Sequence, residues 1–201
     1  MTDYLAEMVT KVRTILKDTD ESDQRFEDSE LEQSVSLAVS DYSQYSLLQT
    51  SDTVSTSNGS REIDVSGIDE AANLISVDKL EFPIDETPRV YTPFKRYLLV
   101  LTMTKAVGDD NDCRVYYSVM HTLSASVNTI PAPHDDLIAL GAAAYAALSE
   151  AQFQTDKANF GGENVDRDYL KWGVSMMAEF KARLKRLNRT VKSGKLQVSD
   201  D

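Results

Sequence analysis

Apolar residues recur at helical spacing in four stretches of the chain, and they shift toward alternation between the second stretch and the third. From residue 3 to 17, Leu5, Met8, Val9, Val12, Ile15 and Leu16 share one face, Thr2 or Asp3 is available as N-cap, and Glu7, Lys11 and Arg13 fall on the polar side. The following KDTDESDQ is too polar to continue a packed helix and reads as a solvated loop. A second helix starts just after Phe26, with Ser29 and Glu32 spaced for a capping box or Asp28 as the cap itself. Its buried face is Leu31, Val35, Ala38, Val39, Tyr42 and Tyr45, and it should pack on the first helix and on the third. The helical pattern then stops in QTSDTVSTSNGSRE, a small polar run that ends in the turn signal Asn58-Gly59.

From about Arg61 to Ile130 the period is closer to two. Glu62 to Val65, Leu74 to Phe82, Arg96 to Thr104 and Cys113 to Leu123 are rich in β-branched and aromatic residues and are separated by Gly, Pro, Asn and Asp. YLLVLTMTKAV and CRVYYSVMHTL, joined by Gly108 to Asp112, read as a hairpin. The third helix, Pro131 to Phe153, organises the rest of the chain. Pro133, or the pair Asp135 and Asp136, suits its first turn, and Leu137, Leu140, Gly141, Ala144, Tyr145 and Leu148 form a small apolar face that lets another backbone come close. After the Asn159 to Gly162 turn, Glu163 or Asn164 can open a fourth helix. Its buried face is Val165, Tyr169, Trp172, Gly173, Met176, Phe180, Leu184 and Leu187. TVKSGKLQVSDD beyond Asn188 has no helical face and reads as an extended tail.

The fold class predicted is therefore α+β. Residues 1–49 and 131–189 form a discontinuous core of about four helices, residues 50–130 an inserted β-rich module, and residues 190–201 an extended C-terminal arm.

Charge changes this picture more than composition does. The formal net charge of -12 is unevenly spread, because seven of the 21 basic residues lie between Lys181 and Lys195, where no acid occurs. An acidic body argues against general affinity for nucleic acid, while the basic tail can attract an acidic partner or another copy of the chain. The single Cys113 excludes an internal disulfide and fits assembly in a reducing compartment. No apolar run approaches bilayer length and Met1 to Asp3 does not open a secretory leader, so a soluble protein made in the cytoplasm is expected.

No chemical motif stands out. His121, expected in a strand, and His134, at a helix start, lack neighbours at metal-ligand spacing, and the acids after Lys17 lack the glycine and closing glutamate of a calcium loop. Asp109 and Asp110 sit in a turn, and Cys113 has no partner histidine visible in the sequence. The Trp172, Met176, Met177 and Phe180 stripe reads as core, not as a cofactor box. No catalytic, metal or cofactor residue is assigned, and no enzyme is expected.

The order of elements resembles the head-to-tail adaptor, or connector, proteins of tailed bacteriophages. Three segments carry the resemblance: RFEDSELEQSVSLAVSDYSQY at 25 to 45, CRVYYSVMHTLS leading through TIPAPHDDLIALGAAAYAAL, and the basic C-terminal helix and tail. The resemblance implies a structural virion protein at the neck, assembled in the host cytoplasm. It would form a homo-oligomeric ring, commonly of twelve copies, below the portal protein, bind a downstream tail or neck protein, and continue a channel through which DNA passes without specific binding. The portal-binding residues it implies are Arg183, Lys185, Arg186, Arg189, Val191, Lys192, Lys195, Leu196 and Val198. The long region from Thr50 to Thr129 departs from the shorter members. Two other readings are a different phage neck or tail component, such as a completion or terminator protein, and a small nucleic-acid-binding module or enzyme using the basic tail.

Overall fold

The side chain of Asp3 accepts the Ala6 N–H and starts α1 (Tyr4–Leu16), which Lys17 ends in the left-handed region. The computed structural model describes residues 3–104, 112–157 and 165–190. The Gly108 to Asn111 part of the expected connection before Cys113 and the expected turn and helix opening at Asn159 to Asn164 fall outside these. In α1, Met8, Val9, Val12 and Leu16 are buried as their spacing predicts. Arg13 is buried too, contrary to its expected place on the polar side, because three oxygens of the next segment surround its guanidinium. Helix α2 (Asp28–Tyr45) starts two residues earlier than a Ser29 cap requires. Its cap is Glu27, whose N–H donates to Glu30 Oε2 at 3.1 Å, while Asp28 turns to Arg13. Leu31, Val35, Ala38, Val39 and Tyr42 form the buried face of α2.

The chain is α+β and divides into two compact units. One is formed by the chain up to Ser46 together with the chain from His121, and the other by Leu47–Met120. Against the 50–130 limits read from the sequence, the unit begins three residues earlier and ends ten residues earlier. Residues 121 to 130 go with the helices, since the His121 N–H donates to Ser43 Oγ at 3.0 Å and Ile130 is buried in the helical core. Helix α3 (Asp135–Lys157) follows a short turn over Ala132–His134, and α4 (Val165–Thr190) packs antiparallel to it. Two close approaches fix that pairing. The Phe180 ring lies on Gly141 and the Leu148 side chain lies on Gly173. The alanines of α3 fill the centre, with Ala142, Ala143, Ala144 and Ala147 fully buried against α1, α2 and α4.

The inserted unit holds two antiparallel sheets of three strands. In one, β6 (Asp112–Val119) lies between β1 (Leu48–Ser55) and β3 (Leu74–Glu81); in the other, β5 (Val100–Met103) lies between β2 (Glu62–Asp64) and β4 (Phe94–Tyr97). This overturns the expected hairpin of β5 with β6. Each is the central strand of its own sheet, with both edges already paired, so neither has a free edge for the other. Strand β1 also corrects the sequence reading, which left Gln49 to Ser55 as a polar connection. Its inward positions hold Thr50 and Asp52 beside Leu48 and Val54, so apolar alternation is weak, and β6 supplies the register from Leu48↔Val119 to Ser55↔Asp112. Gly59 has φ +77, as the Asn58-Gly59 turn predicts. Both sheets contribute to one core, with Ile63, Leu101 and Met103 from one meeting Leu80, Val115 and Tyr117 from the other.

Candidate partner interface

Helix α4 separates its residues by face. Gly173, Met176, Phe180 and Leu184 are buried, whereas Leu170, Val174, Lys181 and Lys185 form an exposed flank. Of the residues expected to meet a partner, Arg183, Lys185 and Arg186 lie here and are exposed; Arg183 is paired with Glu179 one turn back. Arg189 falls near the end of the α4 backbone. Val191, Lys192, Lys195, Leu196 and Val198 lie outside the described residues, as does the expected arm beyond Thr190, which itself ends α4. Four of the nine thus lie on α4, but Arg183 and Lys185, two positions apart, point to opposite sides of it.

At the other end of the helical unit is an acidic corner. Asp18 is buried, not solvated as the sequence suggested. Its carboxylate accepts the Arg25 N–H at 2.7 Å and the Phe26 N–H at 3.3 Å, and it pairs with Arg13. Arg13 in turn donates to the Phe26 carbonyl at 2.8 Å and to Asp28 at 2.7 Å, so one buried cation shapes the loop from α1 to α2. Beside it a cleft of about 300 Å³ is lined by Ala6, Val9, Thr10, Glu21, Asp28 and Glu32, among others. Arg25 closes the corner, bonding Glu150 at 2.9 Å and stacking its guanidinium 4.6 Å from the Tyr169 ring centre.

A second arrangement was not legible in the sequence. His121 is not in a strand but just past β6, and both histidines converge on Tyr42, with ring centroids 5.1 Å and 5.5 Å from it. Tyr42 Oη is 2.6 Å from His134 Nδ1, and His121 Nδ1 is 2.9 Å from the Thr129 carbonyl, to which it donates as the Nδ1–H tautomer. Burial pushes the His121 pKa down, with His134 adding to the fall and the Thr129 carbonyl opposing it. For a base held neutral in the fold, the unfolded chain takes up protons first as pH falls. Its contribution to stability is therefore complete above the unfolded value of about 6.5 and is lost below it. His121→Asn keeps a donor for Thr129 and does not titrate. Between pH 7.5 and 5.5 the melting temperature of the unaltered chain is expected to fall more than that of the variant; equal falls would remove His121 from the account.

The β unit carries its own polar contacts. Tyr117 Oη donates to Asp52 and Tyr116 Oη to Glu81, each at 2.6 Å, and Arg114 bridges Glu81 and Asp85. The Tyr116 hydroxyl holds the buried Glu81 carboxyl below its ordinary range, against the effect of burial. Tyr97 and Leu98, at the tip between β4 and β5, are 77% and 74% exposed. Cys113 is fully buried, and burial pushes its thiol up to about 11, which does not suit a nucleophile. Among the described residues no three of His, Cys, Asp and Glu converge as metal ligands would, and no helix is long and apolar enough to cross a membrane. Comparison with known protein families finds none that matches this chain, and a search of curated proteins finds no similar sequence.

Proposed function

We propose that this chain is a structural virion subunit, a head-to-tail adaptor that forms a ring beneath the portal, joins it to the tail and continues the DNA channel. One observation carries the reading. A helical unit interrupted by a single β unit ends in a helix whose exposed basic side chains lie at its C-terminal end, followed by a further basic segment with no apolar periodicity. Such a segment gains little by packing on its own chain and orders when a partner surface supplies burial and opposite charge. The excess of acids over bases in the remaining residues suits a channel wall, since like charge keeps passing DNA from adhering.

The test removes the segment without touching the core. Leu184 is fully buried, so a cut at Lys181 would damage the helical unit, whereas a chain ending at Thr190 keeps every described residue. Native mass spectrometry with a purified portal ring is expected to show several copies of the full chain adding to the ring and no addition of the shortened chain, with both giving the same melt. Undiminished addition of the shortened chain would take the segment out of the reading. Addition to tail tube in place of portal would make the protein a different neck or tail component.

A further inference from the structure

Two oppositely charged surfaces lie apart on the same helical unit. The fifteen residues from Asp18 to Glu32 include eight acids and one base, and the fifteen from Lys181 to Lys195 include seven bases and no acid. In the first group Asp18 is paired with Arg13 of α1 and Arg25 is engaged by Glu150 of α3, while Glu21 and Glu32 remain exposed beside the cleft. Asp28 gives one oxygen to Arg13 and keeps a side chain that is 73% exposed.

These surfaces do not meet within the described part of one chain. Tyr169, near the start of α4, touches Phe26 and Arg25, so the helix begins at the acidic corner and runs away from it. At the helical rise, Lys181 and Lys185 lie about 18 and 24 Å further along. Ala178 and Ala182, exposed on the same side, leave space for another backbone to come close.

We propose that the outward basic stripe of α4 docks on the α1–α2 corner of a second copy, with Lys181 and Lys185 against Glu21, Asp28 and Glu32 over the Ala6 and Thr10 edge of the cleft. The contact is heterologous, one surface meeting a different one, so an open assembly keeps one unused surface at each end until a ring closes. It rests on the ring reading, for which it names the surface between neighbours. Charge pairing of this kind steers encounter and fixes partner choice, and it weakens as salt shortens the screening length.

Charge reversal tests it without any portal. The full chain, Lys181→Glu/Lys185→Glu and Glu21→Lys/Glu32→Lys are compared by analytical ultracentrifugation at about 0.05 M and about 0.5 M salt. The unaltered chain is expected to associate at low salt and weaken about tenfold or more at high salt. Each reversed variant alone is expected to stay monomeric with an unchanged melt, and the two mixed are expected to associate again, because every contact in the mixture joins opposite charges. A monomeric unaltered chain at low salt, association that survives either reversal, or a mixture that stays monomeric would each overturn the contact. Portal addition by the full chain alongside any of these results would leave the adaptor reading standing and remove only this surface.

Discussion

Phe180→Ala is expected to lower the unfolding free energy of the helical unit by about 3–5 kcal/mol. The change reads out as an earlier denaturant midpoint followed through Trp172, the chain's one tryptophan. Phe180 is fully buried, and it occupies space that α3 leaves open by carrying no side chain at Gly141. A Cβ placed there would lie 2.7 Å from the Phe180 ring. Removing the ring leaves a hole between two helices whose backbones are already held close by Gly173 against Leu148, so little relaxation can fill it. Gly141→Ala in the unaltered chain sets a helix-propensity gain of about 1 kcal/mol against overpacking of about 1–3 kcal/mol, and a net loss is expected. In the Phe180→Ala background the same substitution should become stabilising, because the added methyl then enters the vacated space. A loss below about 1 kcal/mol for Phe180→Ala would show that this contact does not fix the pairing of α3 with α4.

Arg13→Met is expected to be of similar size, about 3–5 kcal/mol, for a different reason. The substitution keeps the apolar stem but leaves Asp18 buried with only two backbone donors and takes the Phe26 carbonyl's donor away. Asp18→Asn should cost less, since an amide oxygen still accepts from the loop, and Arg13→Met combined with Asp18→Asn should recover part of the loss. The measurement is a double-mutant cycle from denaturant unfolding. Additive losses would mean that Arg13 and Asp18 act separately, contrary to the geometry.

The helical half of the fold was legible because its signal is local. Asp3 caps α1, Leu31 to Tyr42 repeat at 3.6, and the glycine and alanines of α3 announce a close packing that Phe180 fills. Strand pairing was not, because the partner of a strand is chosen by edges that local sequence does not label. Two adjacent apolar runs invite a hairpin, yet β5 and β6 are each flanked by other strands, one of them the nearly polar β1. Buried charge was missed by the same logic. Arg13 sits beside Val12 at the border of an apolar face, and only the folded loop brings Asp18, Phe26 and Asp28 to it. Of the candidate site, the basic turns of α4 could be read directly, whereas the meeting of Tyr42 with two histidines about eighty and ninety residues away could not.

The first and last strands of the inserted unit pair with each other, Leu48 opposite Val119, within two residues of Ser46 and His121. Antiparallel partners stand about 5 Å apart, so the chain leaves the helical unit and returns to it through a gap that a tight turn can span. The insertion is therefore topologically equivalent to a surface loop. Lengthening it, exchanging it or deleting it leaves unchanged the gap that the helical chain has to close.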